Sequence, residues 1–284
     1  MAHIDLKKLA EAGFSDEIQE REAFAVINVA GIEGTGKTHF ALSAPKPLLY
    51  QSTDYGGDGV LQQFKDSGQI IRPNKNDYKL DIPPELRDFM TLDDESLKKT
   101  EQDANRKALE KKLARFVHEN FYIPFFDDFR KGIEIGCRSI VWDTALDVWE
   151  YTRLSVYGRN ATNRSDLQAE ANSKYREMVR LANVHKVNLI MINHLKPLWE
   201  SYEQGNQVKW RKTKDFELQG FDKCPFLINA NIWTSFDPSA DDGEKFTFTV
   251  KKCRDQYEWV GQTLPACGFT ELMSMLAPEV ENWG

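Results

Sequence analysis

The chain has 284 residues, 37 Lys and Arg against 44 Asp and Glu, a net charge of −7 and 41% apolar residues. At roughly 100–200 residues per domain this length builds one large domain or two small ones, and no apolar run reaches the ~20 residues that cross a bilayer. The acidic balance excludes a histone-like hold on nucleic acid by bulk charge, so any such contact has to come from a local patch.

Residues 1–22 mix charges with Leu6, Leu9, Ala10, Phe14 and Ile18 near helical spacing. They lack the apolar stretch of a signal peptide and predict a short amphipathic helix ahead of a domain spanning 23–284. Residues 24–30 are almost continuously apolar, the pattern of a strand buried on both faces in a parallel sheet. A Gly-rich turn follows at once, then a helix over 38–43 stopped by Pro45 and Pro47, then a strand over 47–52 and a turn-rich 53–59. Strand, helix and strand in this order make a βαβ unit.

From about 73 to 120 the composition shifts to Lys, Asp, Glu and Asn, which reads as an insertion carrying a charged helix over 96–119. The core resumes with a helix over 125–135, a strand over 137–144 ending in Asp143, and a helix over 145–157. A second helix has Leu167, Ala171, Tyr175, Met178 and Ala182 on one face. A strand over 187–194 ends in His194. Two later strands, 228–233 and 245–251, flank the turn 237–243 and predict an antiparallel ending. Cys137, Cys224, Cys253 and Cys267 form no C-x-x-C pair, so reduced thiols in a cytoplasmic setting are expected.

Residues 31–38, Gly-Ile-Glu-Gly-Thr-Gly-Lys-Thr, fit G-x-x-x-x-G-K-[ST] without a mismatch, between a buried strand and a helix. Gly31, Gly34 and Gly36 let the backbone of the loop, with Glu33 and Thr35, turn N–H groups toward phosphate oxygens, and the helix N-terminus adds a favourable dipole. Lys37 reaches the β- and γ-phosphates, and the Thr38 hydroxyl meets Mg²⁺. ATP and Mg²⁺ are therefore the expected ligands. Asp143, at the carboxyl end of its strand, is either a second Mg²⁺ group or a helix cap. Asp54 either orients the attacking water or makes an ordinary turn. His194 either reports on the γ-phosphate or is satisfied locally.

Taken in order, GIEGTGKT at 31–38, LLYQSTD at 48–54, SIVWDT at 139–144 and NLIMINH at 188–194 resemble the RecA-like P-loop ATPases. Within them they resemble the compact phage-encoded RecA/Rad51-like nucleotide-binding proteins of single-strand annealing recombination. The resemblance implies an α/β RecA-like core, Asp54 as the water-activating acid, Asp143 as the metal-facing acid and His194 as the γ-phosphate sensor. RecA-like proteins usually carry Glu where Asp54 stands, which puts hydrolysis rate at issue rather than binding. The resemblance also implies single-stranded DNA, further copies of the chain and a single-strand-binding protein as partners, and no membrane. The loop after the sensor strand, 195–226, would contact DNA through Lys209, Trp210, Arg211, Lys212 and Lys214, the other reading of that stretch being a solvated β-hairpin with Trp210 packed on the core; Lys251, Lys252 or Arg254 would act in trans on a neighbour's ATP or else mark a solvated strand end. Two other readings fit the phosphate loop: a small-molecule kinase with an arginine lid drawn from Arg153, Arg159 and Arg164, and a non-hydrolysing ATP-gated assembly module.

Overall fold

The computed structural model describes residues 22–53, 57–73, 78, 80–92, 104–159, 165–204, 207–219 and 226–283. Most of the expected N-terminal helix, Asp54, and parts of the 73–120 segment lie outside these residues.

Strands β1 (Val26–Gly31), β2 (Leu48–Ser52) and β4 (Ser139–Asp143) are buried along their whole length, which explains why their sequences run apolar without alternation. Together with β3 (Ile70–Ile71), β5 (Asn188–Gln204), β7 (Ala230–Phe236), β8 (Phe246–Cys253) and β9 (Thr263–Pro265) they form a sheet in the order β3-β2-β4-β5-β1-β7-β8-β9. Pairing is parallel from β3 through β7 and antiparallel from β7 to β9. This is a RecA-like α/β core with antiparallel carboxyl-terminal strands. One face of the sheet packs a cluster around Trp142, Phe125, Phe129 and Tyr175. The other packs Phe40, Phe248, Phe269 and Leu272 from α1 (Lys37–Leu42), β8 and α8 (Phe269–Leu276).

The segment read as an insertion belongs to the first of these clusters. Helices α3 (Pro84–Thr91) and α4 (Ala104–Val117) supply Leu86, Phe89, Leu113 and Val117 to it. Helix α4 then runs through a π-helical turn, His118–Tyr122, straight into α5 (Ile123–Glu134), so no break occurs at 120. A buried polar knot fastens this layer to the sheet. Gln51 Nε2 donates to the Tyr78 hydroxyl at 2.9 Å and to the Phe125 carbonyl at 3.0 Å, while Trp142 Nε1 donates to Gln51 Oε1 at 3.2 Å. Burial and Asp128 push the Tyr78 hydroxyl well above the ordinary tyrosine range.

Strand β5 runs on past His194, where the sequence reading ended it, and of the two readings of the stretch that follows, the hairpin is the one found, without Trp210 packed on the core. The neighbours of β5 stop first: β4 ends at Asp143 opposite Ile192, and β1 ends at Gly31 opposite His194. Beyond that point β5 leaves the sheet and continues as an antiparallel ribbon with β6 (Gln207–Leu218), irregular between Pro197 and Trp199. Proline has no N–H to give a ladder, and a bulge is where a strand tolerates one.

Candidate phosphate-binding site and neighbouring surfaces

The loop between β1 and α1 stands at the carboxyl edge of the parallel strands, the edge on which ligands of open α/β sheets bind. Gly34 (φ 76°) and Gly36 (φ 84°) take left-handed backbone that other residues resist. Gly31 is needed for a different reason. A Cβ there would collide with the Thr234 hydroxyl, and would lie 2.5 Å from the Thr35 hydroxyl and 2.8 Å from the Thr234 carbonyl. Thr35 and Thr234 share a hydrogen bond of 2.6 Å, and the Thr35 hydroxyl also donates to the Ile32 carbonyl at 2.8 Å. Both threonines are buried, so β7 holds the loop from beneath. Glu33 is exposed at the outer tip.

Lys37 is buried, with Nζ donating to the carbonyls of Gly31 at 3.0 Å and Ile32 at 2.6 Å. Its ammonium is thus fixed across the mouth of the loop. Thr38 donates its hydroxyl to Asp143 Oδ2 at 3.0 Å, although 105 residues separate the two in sequence. Asp143 does not cap the helix that follows. Thr144 does, accepting from the Asp147 N–H at 3.3 Å at the start of α6 (Ala145–Tyr157).

A hydroxyl and a carboxylate side by side beneath a phosphate loop are hard oxygen donors in small number. This suits Mg²⁺, which binds through one or two protein groups plus nucleotide phosphates. Among the described residues no cluster of three or more His, Cys, Asp or Glu forms a protein-only cage. Thr38 and Asp143 are the groups that would hold the ion, which would neutralise charge on the β- and γ-phosphates.

The end of β2 is latched to the end of β4 immediately before Asp54. The Thr53 N–H donates to the Asp143 carbonyl at 2.6 Å. Its hydroxyl donates to Asp147 Oδ2 at 2.8 Å and accepts from the Thr144 N–H at 3.0 Å. His194 is half-buried and in register with Gly31, the first residue of the loop. Just behind it, Asn193 donates to Asn28 at 2.5 Å and Asn28 donates to Asn231 at 2.7 Å, so three buried amides cross β5, β1 and β7.

Beside the loop lies a cleft of about 350 Å³ lined by Gly36, His39, Phe40, Phe246, Phe248 and Cys267, among others. Its apolar walls suit a flat heterocycle. Burial and Glu271 push the Cys267 thiol up to about 11.

The cationic run on β6 is divided by the strand's own geometry. Trp199 pairs with Lys212 and Ser201 with Trp210, so Trp199, Trp210 and Lys212 share one side of the ribbon, with the Lys212 ammonium 5.4 Å from the Trp199 ring centre. Lys209 and Arg211 occupy the other side, where Arg211 pairs with Glu200 at 2.6 Å. The expected single patch is therefore two faces. The Lys214 side chain lies outside the described set. Trp199 and Trp210 are 54% and 65% exposed, neither tucked against the core.

Lys251, Lys252 and Arg254 sit toward the end of β8, at the sheet edge opposite the phosphate loop. Lys251 lies 4.4 Å from the Trp233 ring centre, Lys252 donates to the Ile228 carbonyl and Arg254 to the Phe226 carbonyl. Among the described residues, Arg153 and Arg159 of the kinase reading do not form a lid. Helix α6 starts beside Asp143 and runs away for ~20 Å. On it Arg153 pairs with Glu150, and just beyond it Arg159 donates to the Phe89 carbonyl, while Arg164 lies outside the described residues.

Tyr50, Thr53, Thr234 and Phe246 were not singled out by the sequence. Tyr50 had a signal: a phenol in a strand otherwise built for complete burial must find a partner for its hydroxyl. The other three become visible only once the strands are ordered.

No protein-family model matches the sequence, and no curated protein matches it. Among solved structures, a KaiC-like protein from the hyperthermophilic archaeon Pyrococcus horikoshii OT3 is similar at 10% identity, covering 85% of this chain and 84% of that one with a TM-score of 0.40. An overlap this loose says nothing about activity. The chain's own strand order, parallel with an antiparallel carboxyl-terminal end, gives it a RecA-like α/β fold.

Proposed function

We propose that the chain is an ATP-binding RecA-like ATPase that acts on single-stranded DNA as an oligomer, in phage-type recombination or strand annealing. The observation that carries the nucleotide part is the convergence of Lys37, Thr38 and Asp143 at one mouth, with Thr38 bonded to Asp143 across 105 residues of sequence. The triphosphate lies on the loop N–H groups and Lys37, Mg²⁺ meets Thr38 and Asp143, and the base enters the cleft beside Phe246. Asp54 follows the latched Thr53 and orients the attacking water. The His194 backbone is continuous with the ribbon, so a change at the γ-phosphate has a direct covalent route to it.

Single-stranded DNA is supported by the ribbon's Trp199, Trp210 and Lys212 face, because bases of any sequence stack on aromatic rings while a cation meets phosphate. Assembly is supported by the position of Lys251, Lys252 and Arg254, since a residue acting on a neighbour's phosphates has to lie away from its own.

Turnover of ATP measured with and without oligo(dT) tests the whole reading. Stimulation by DNA supports it; tight binding without turnover leaves an ATP-gated assembly module, and phosphate transfer to an added acceptor leaves a kinase. Fluorescent oligo(dT) binding tests the surface. Trp210→Ala should weaken binding by about tenfold, within the ~1–3 kcal/mol of one stacked base, whereas Arg211→Ala on the opposite side should stay within about twofold, as exposed ion pairs are worth little. Equal losses would refute the assignment to that side.

A further inference from the structure

We propose that Tyr50 is a positioning residue for the metal-facing carboxylate, its hydroxyl holding Asp143 in place beside Thr38. This rests on the nucleotide-site reading above. Tyr50 stands in the middle of β2 and is 1% exposed. Its hydroxyl donates to Asp143 Oδ2 at 2.7 Å, the same oxygen that accepts from Thr38 at 3.0 Å. Two hydroxyls from two different elements thus converge on one carboxylate oxygen. A carboxylate turns readily about its last bond, and one donor leaves that rotation open while two donors at separate angles close it. The two hydroxyls are not equivalent. Thr38 is the one whose oxygen would meet the metal, whereas Tyr50 reaches the site from the neighbouring strand β2 and holds the acid.

The same phenol carries a second contact. A Cβ on Gly57 would collide with the Tyr50 hydroxyl and would lie 3.2 Å from Cζ and 3.4 Å from Cε1. Glycine at 57 is therefore what lets the chain pass directly over this ring, three residues after Asp54. The hydroxyl sits between the metal-facing acid on one side and Gly57 on the other, so displacing it disturbs both. Charge-assisted O–H···O⁻ bonds are among the stronger ones a protein makes, and a buried carboxylate oxygen deprived of one donor loses direction as well as energy.

The test uses the full-length chain and a non-hydrolysable ATP analogue, with affinity measured by calorimetry over a Mg²⁺ series and in EDTA. Tyr50→Phe keeps the ring and its packing under Gly57 and deletes only the hydroxyl. The expected result is a Mg²⁺ midpoint about tenfold higher, the scale set by losing one hydrogen bond to a charged group, with metal-free affinity within about twofold of the parent. Gly57→Ala leaves Asp143 and the hydroxyl in the sequence but pushes the phenol aside, so it should raise the Mg²⁺ midpoint in the same direction. It also keeps the test standing if Tyr50→Phe fails to fold. A purely structural role would lower the melting temperature of both variants and leave both midpoints at the parental value; that result overturns the proposal. A parent that binds no nucleotide at all overturns the nucleotide-site reading first and this proposal with it, which separates the two failures.

Discussion

Replacing Lys37 by alanine should do two separable things. In the folded chain Lys37 Nζ serves the carbonyls of Gly31 and Ile32 from a buried position. Removing it takes a donor from both carbonyls and leaves that of Ile32 with the Thr35 hydroxyl, at a cost of about 2 kcal/mol. For a chain of this size, at ~2–4 °C per kcal/mol, the melting temperature should fall by roughly 4–8 °C. The second effect is on nucleotide. Lys37 is the one cation that the loop's own sequence supplies, and losing charge-assisted bonds of ~1.5–3 kcal/mol each to two phosphate oxygens corresponds to at least about a hundredfold in affinity. Thermal melts with and without Mg-ATP read both at once. At a nucleotide concentration near 100 times its dissociation constant the parent should gain ~2.7 kcal/mol, or roughly 5–11 °C, and the variant should gain almost nothing. Calorimetric titration of the folded variant is the control. A Lys37→Ala protein that melts at the parental temperature refutes the bridging role, and one that is stabilised by Mg-ATP as much as the parent refutes the phosphate-loop assignment itself.

The Gly31→Ala variant should lose nucleotide binding without any change in charge, because its Cβ would drive apart Thr35 and Thr234, the pair that seats the loop on β7; calorimetry showing parental affinity would disprove that seating. Cys267 should react with iodoacetamide at pH 8 about a hundredfold more slowly than an ordinary exposed thiol, since a thiol pushed up from 9.0 to about 11 holds little thiolate there. Added nucleotide should slow it further if the base occupies the adjoining cleft, as peptide mapping by mass spectrometry would register. Stability should also respond: between pH 9 and 11 the folded thiol keeps a proton that the unfolded one has released, so the contribution is complete below pH 9 and lost as pH rises through 11. A denaturation series in which Cys267→Ser leaves the slope over that window unchanged would count against it.

Much of this protein could be read from local sequence, and the reason is distance along the chain. The phosphate loop is eight consecutive residues whose glycines, lysine and threonine act within a few ångströms of one another, and the strands beside it are apolar runs because both of their faces are covered. Asp143 at a strand's end and Thr144 as a cap are equally local facts. Other features were decided by packing between segments far apart in sequence. Gly31 invites a conformational explanation, yet its need for space comes from Thr234 on a strand some two hundred residues later. The segment 195–204 is open between a loop and a hairpin strand in sequence, and it is settled as a strand because β4 and β1 stop and β6 folds back along it. The run from Lys209 to Lys214 looks like one basic patch in one dimension, and strand alternation splits it between two sides. The helix read as part of an insertion is held in the core chiefly by α6, with α3 beside it, neighbours that composition alone cannot bring near it. Short-range chemistry was written in consecutive residues, whereas strand order, which brings Tyr50 against Asp143 and Phe246 beside Gly36, arises only when the whole sheet closes and its long-range contacts offset the entropy of joining them.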